Sequence, residues 1–226
     1  MNQIKFYKKE NSMLDSPIDI EKLKKLQFKV MQDVAAAAVV PLMRIGDQLG
    51  LFKKLSEIGE VSSQKFADEA EVDERYLREW LHAISAAGFV SYNKEDKTFS
   101  LSPEQAAVFA HEEGPANMIG AYDVLTGAVH NEKDVLKAFK TGEGVPYEDA
   151  CPICFQGTAR FFKPSYQANL IKKWLPLIEG FEEKMRSGGS FADIGCGHGL
   201  STLMIADAFP SGKVAGFDIH GPSIDQ

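Results

Sequence analysis

The stretch from Ser190 to Ile219, SFADIGCGHGLSTLMIADAFPSGKVAGFDI, reads as strand, glycine turn, helix, turn and strand. Phe191 to Ile194 is a short apolar run broken only by Asp193, Leu200 to Phe209 carries apolar side chains at helical spacing, and Val214 to Ile219 is a second apolar run. Together they make one βαβ unit of about 30 residues.

The glycines bound what such a unit could hold. Gly195, Gly197 and Gly199 give G-x-G-x-G, so the backbone can turn sharply and approach a ligand, with the amides of the next helix pointing toward it. A dinucleotide fingerprint asks for glycine where this chain has Leu200, so the fit to a pyrophosphate is poor. Two carboxylates bracket the turn: Asp193 before it, and Asp218 at the predicted end of the second strand. In open α/β sheets ligands sit beyond the carboxyl ends of the strands, so both acids are expected to face one crevice. An acid after the second strand suits vicinal ribose hydroxyls, and one beside the glycines suits an amino-bearing ligand.

These residues resemble the first motif and second-strand acid of the Rossmann-like S-adenosylmethionine (SAM)-dependent methyltransferases. The resemblance rests on Asp193-Ile-Gly195-Cys196-Gly197-His-Gly199 and on Gly216-Phe-Asp218-Ile. It implies that Gly195, Cys196 and Gly197 pass under the methionine part of SAM, that Asp193 orients its amino group, and that Asp218 holds the ribose hydroxyls. Gly199 is expected to serve close strand-to-helix packing.

Working outward, the chain of 226 residues is 44% hydrophobic and 25% charged, ordinary for a globular protein. Its net charge of −7 gives no general attraction to nucleic acid or to anionic membranes. Residues 1–17 read as a polar, mobile leader without a secretory h-region, and the longest apolar stretch, Val34 to Met43, is short for a membrane span. A cytoplasmic protein is expected. Cys151 and Cys154 form a lone C-x-x-C; a redox or zinc role is the less favoured reading, and no cluster of acids and histidines is spaced for a metal.

Residues 18–110 read as a winged-helix or dimerisation domain. Ile20 to Phe28 has helical spacing, and Val34 to Leu55 is a strongly apolar stretch, two helices or one bent at Pro41, fit either for a homodimer interface or for the domain's core. Ser62 and Ser63 can cap a helix to Ala70, Asp73 can cap a second from Glu74 to Ala87, and Gly88 ends it. Phe89 to Tyr92 and Thr98 to Leu101 flank a polar turn and predict a β-hairpin. DNA binding through the second helix is disfavoured because Asp73, Glu74 and Glu79 outnumber Arg75 and Arg78. The arrangement is similar to the N-terminal domain of small-molecule O-methyltransferases.

Residues 111–187 read as a helical linker, with breaks at Gly114-Pro115, Gly127, Pro164 and Pro176 and a connector from Thr141 to Pro152. Phe162 and Tyr166 are candidate cofactor contacts by the resemblance alone. Residues 188–226 then begin a SAM-binding domain. Two strands cannot complete a doubly wound sheet, so the chain is expected to be the N-terminal portion of such an enzyme. Its fold class is α/β, a mainly helical winged-helix domain followed by the first βαβ unit of a Rossmann-like methyltransferase domain. The function implied is methyl transfer from SAM to a small-molecule acceptor; the alternatives are a winged-helix DNA-binding regulator and a non-catalytic dimerising module. No catalytic base is assigned, to His198 and His220 included.

Overall fold

The computed structural model describes residues 18–225; the expected leader, residues 1–17, lies outside the described residues. The described chain falls into two units that divide between Ala38 and Val39.

Helix α1 runs unbroken from Ile20 to Gln48, so Pro41 neither splits nor ends it. Proline in a helix interior removes one backbone hydrogen bond. Here the helix-forming alanines Ala35 to Ala38 precede it, and the next residue, Leu42, is tied down where its carbonyl accepts the Trp80 indole N–H at 2.8 Å. In the first unit, Leu26, Phe28, Met31 and Val34 are more than half exposed. By length and composition α1 is the one helix among the described residues that could cross a membrane. Lys22, Lys24, Lys25, Lys29 and Asp33 interrupt its first half, and Met43 and Gly46 in its second half are buried.

In the second unit, α2 (Leu51–Ile58), β1 (Val61–Ser62), α3 (Ser63–Ala70), α4 (Glu74–Ala86), β2 (Ser91–Asn93) and β3 (Thr98–Ser100) form the winged helix. The caps are those read from sequence. Ser62 accepts the Lys65 N–H and Asp73 the Tyr76 N–H, and Gly88 at φ 84° leaves α4 through the left-handed region. Strand β1 is a finding beyond the hairpin: it pairs antiparallel with β3, giving the order β1-β3-β2. Met43, Phe52, Leu55, Phe66, Leu81 and Ile84 are fully buried and fill this core. Leu51, Phe52 and Leu55 therefore belong to the core half of the Val34 to Leu55 alternative.

Three helices follow: α5 (Pro103–Phe109), α6 (Gly120–His130) and α7 (Glu132–Thr141). Ser102 and Gln105 cap α5 reciprocally. Then come a 3₁₀ turn at Tyr147–Asp149 and the long helix α8 (Pro152–Asn169). Two expected breaks are absent. Gly127 lies inside α6, and Pro164 lies buried inside α8, whose regular α-helix ends only at a π-type turn, Leu170–Trp174. Gly127 is needed for packing: a Cβ there would overlap Cys154 Sγ, one on Gly120 would stand 2.7 Å from the Phe161 amide nitrogen, and one on Gly157 would stand 2.7 Å from Asp123 Cβ. The absent side chains let α6 and α8 meet backbone to backbone.

The last elements are α9 (Phe181–Arg186), β4 (Ser190–Ile194), α10 (Leu200–Ala208), β5 (Lys213–Phe217) and α11 (Gly221–Ile224). Strands β4 and β5 pair in parallel, with Asp193 opposite Gly216, confirming the βαβ unit. Its helix α10, through Ile205 and the Phe209 that follows it, packs onto a second core containing Leu170, Leu175, Phe181 and Met185. Ile194 and Phe217, the last residues of the two strands, are mostly exposed. The architecture is α/β and mainly helical, as read from the sequence.

Candidate functional site at the glycine turn

The turn follows from the end of β4. The amides of Gly195 and Cys196 both donate to the Phe217 carbonyl, at 2.7 and 3.1 Å, so the ladder runs one step past the strand before the chain veers away. Gly195, Gly197 and Gly199 then adopt φ of 77°, 55° and 72°, the left-handed region that residues with a Cβ enter at a cost. A Cβ at any of them would meet nothing within 4 Å. The glycines serve backbone conformation and leave open space above the turn. This corrects the expectation for Gly199, which starts α10 in a left-handed conformation and makes no close packing contact.

Both acids are gathered on the turn, from opposite ends. Asp193 Oδ2 accepts the hydroxyls of Ser201 and Thr202, each at 2.7 Å, which anchors it to the first turn of α10. Asp218 Oδ2 accepts the Gly197 N–H at 2.7 Å and its Oδ1 the His220 N–H at 2.8 Å. These backbone donors, His220 first and Gly197 next, hold the Asp218 carboxyl below the usual carboxylate range. A carboxylate has roughly four acceptor sites, so Asp218 remains able to accept from a ligand. Cys196 turns its thiol toward β5, where a Cβ on Gly216 would stand 2.8 Å from Cys196 Sγ.

An aromatic group adjoins Asp218 that sequence reading missed. The His220 ring stacks on Phe155 with centroids 4.0 Å apart, its Nδ1 lies 2.7 Å from Ser223 Oγ, and Tyr147 meets Phe155 edge-on at 4.8 Å. Burial, and then the Asp218 carboxylate, push the Tyr147 phenol above its ordinary value. Phe155 had only the signature of a core aromatic and Tyr147 that of a connector residue; nothing local joins them to His220. Phe162 and Tyr166 stack on each other, and Tyr166 packs against the second core. His198 Nε2 is buried without a partner among the described residues.

A polar junction ties α1 to α6 and α8. Arg160 donates to both oxygens of Asp47, at 2.8 and 3.1 Å, and to Asp123 Oδ2 at 2.8 Å, while Arg44 bonds Asp123 Oδ1 at 2.9 Å. Hydrogen bonding to Asp47, above all, holds the Arg160 guanidinium above its ordinary range. This junction borders a cavity of about 500 Å³ lined by Gly46, Phe52, His111 and Asn117 among others. On α4, Arg78 is paired with Glu74 at 2.8 Å, which takes up one of the two cations on that helix.

Residues 35–111 match the family model described as the Rv2258c-like winged HTH domain. A search of curated proteins finds no match. Among solved structures, the mitomycin 7-O-methyltransferase MmcR superposes with a TM-score of 0.57 at 16% identity, over 86% of this chain and 59% of that one. A putative O-methyltransferase from Nostoc punctiforme PCC 73102 gives a TM-score of 0.59 at 20% identity, over 89% of this chain and 57% of that one. PigF, solved with SAH, gives 0.51 at 18% identity, over 86% and 57%. The chain thus has the fold of an N-terminal winged helix joined to a methyltransferase-like α/β part, and it spans under three fifths of the length of these structures.

Proposed function

We propose that this chain is the N-terminal portion of a SAM-dependent methyltransferase acting on a small-molecule acceptor. The observation that carries the reading is the seating of Asp218, an ionised carboxylate fixed by one N–H from the glycine turn and one from His220. A ribose diol needs a pre-oriented acceptor pair, and Asp218 is oriented without any ligand. The residues fit the cofactor on a second ground, because three left-handed glycines leave open space above the turn. The fold shared with the O-methyltransferase structures supports the same reading.

When bound, the cofactor supplies a sulfonium methyl group for transfer to the acceptor. This chain's residues bind and orient. Asp193, Gly195, Cys196 and Gly197 take the amino-acid end, with Asp193 fixed on α10 by Ser201 and Thr202, and Asp218 takes the ribose. The rate would come chiefly from alignment of donor and acceptor. The test is binding of S-adenosylhomocysteine by the wild type beside Asp218→Ala.

The proposed domains are 18–110, 111–187 and 188–226, in a cytoplasmic protein. The N-terminal helices serve dimerisation, with a second copy of the chain covering the apolar face of α1 at Ile20, Val30, Met31 and Val34. Sedimentation at micromolar concentration should give a dimer that Met31→Glu with Val34→Glu converts to monomer. A monomeric wild type would refute it.

A further inference from the structure

We propose that Cys151 and Cys154 form a redox-active dithiol, which closes reversibly into an intrachain disulfide by exchange with glutathione disulfide.

The pair is built into the start of a long helix. Cys151 is the N-cap of α8, Pro152 opens the first turn, and the Cys154 amide donates to the Cys151 carbonyl at 2.7 Å. One side chain organises both cysteines: Asn131 Oδ1 accepts the Cys151 N–H at 3.0 Å, and Asn131 Nδ2 donates to Cys154 Sγ at 3.7 Å. Both thiols are free and partly buried. Among the described residues no group of three or more histidines, cysteines and acids could hold a metal, so the pair has no further ligands beside it.

Residues three apart on a helix have Cβ atoms about 5–6 Å apart, and a disulfide needs about 3.5–4.5 Å. The helical spacing does not bind Cys151, because its backbone, at ψ 131°, lies outside the helix, and a small inward shift of this N-cap residue supplies the difference. Residual strain would leave such a disulfide easily reduced, which makes it suited to switching and not to stapling the fold.

The members have different roles. Cys154 packs against Gly127, and burial pushes its thiol up. Cys151, at the loop end, is met first. Its thiolate attacks one sulfur of glutathione disulfide and expels a glutathione thiolate. Cys154, once deprotonated, attacks the Cys151 sulfur of the mixed disulfide and expels the second glutathione. Two protein thiols become one disulfide, and one glutathione disulfide becomes two glutathiones.

The position gives the switch something to act on. Phe155 follows Cys154 and stacks on His220, whose amide holds Asp218, and Tyr147 lies on the loop leading to Cys151. Closing the disulfide draws that loop inward and disturbs the stack beside Asp218. This consequence rests on the proposed cofactor role; the disulfide does not.

The test is alkylation of the folded 226-residue chain after incubation with glutathione disulfide, read by intact mass. The three labelled cysteines of the reduced protein should fall to one, with peptides mapping the bond to Cys151 and Cys154 and dithiothreitol restoring all three. Cys196→Ser should leave the loss of two labels intact. Cys151→Ser and Cys151→Ala should each abolish the intrachain bond. S-adenosylhomocysteine affinity should fall severalfold on oxidation of the wild type and stay constant in Cys151→Ser. Three labels persisting under oxidant, or a bond to Cys196, overturns the proposal. Equal affinity of reduced and oxidised chains overturns the coupling, and disulfide formation without any nucleoside binding overturns the cofactor reading alone.

Discussion

Asp218 and Gly197 lie twenty-one residues apart, and the Gly197 amide donates to Asp218 Oδ2 at 2.7 Å, closing the glycine turn against the end of the neighbouring strand. Because the His220 amide occupies the other oxygen, the carboxylate is stabilised in its charged form by two backbone donors. A group whose folded pKa is depressed contributes stability that is fully present above its unfolded value and lost as pH falls through the folded value. The Asp218 carboxyl carbon, followed by NMR, should titrate below the ordinary aspartate value of about 3.9. The stability difference between wild type and Asp218→Asn should correspondingly shrink as pH falls below about 4. A midpoint at or above the ordinary value would contradict the two-donor seating.

Gly197→Ala tests the turn's backbone. A methyl there meets open space, so the whole penalty is the left-handed φ of 55°. Urea unfolding should show a loss of about 1–2 kcal/mol. A neutral substitution would mean the turn can relax into another conformation.

Gly127→Ala tests a different cause, since its methyl would overlap Cys154 Sγ where α6 meets α8. Overpacking typically costs about 1–3 kcal/mol. The same variant should be rescued in part by Cys154→Ala, which removes the clashing sulfur, and a double-mutant cycle would measure that coupling.

Arg160 joins Asp47 of α1 to Asp123 of α6. Arg160→Met should destabilise the chain by about 2–3 kcal/mol, less than for a fully buried pair because the side chain retains 30% exposure. Thermal unfolding would read the loss. An unchanged midpoint would show that Arg44 alone satisfies Asp123.

The contrast between these glycines explains what was legible in the sequence. Gly195, Gly197 and Gly199 act within one local motif, where spacing, strand and helix signals agree, so the turn and its two acids could be named in advance. Gly127 and Pro164 carry the same local signal as helix breakers, yet both sit inside helices; at Gly127 the close packing of α6 on α8 outweighs propensity. Strand β1 is two residues long and exists only through its partner β3, so it has no periodicity of its own. The Tyr147, Phe155 and His220 group was hidden for a related reason: it joins a loop, a helix start and a strand end that only the tertiary fold brings together.

The most direct test of the central claim is calorimetric titration of this chain with S-adenosylhomocysteine, beside Asp218→Ala shown to be folded. Hydrogen bonds to a charged group contribute about 1.5–3 kcal/mol each, so losing the proposed ribose acceptor should weaken binding at least about tenfold. Measurable binding by the wild type with that loss in the variant is the expected result. A folded wild type that fails to bind, or equal affinity in the two proteins, would contradict the assignment of Asp218 and the glycine turn as the cofactor site.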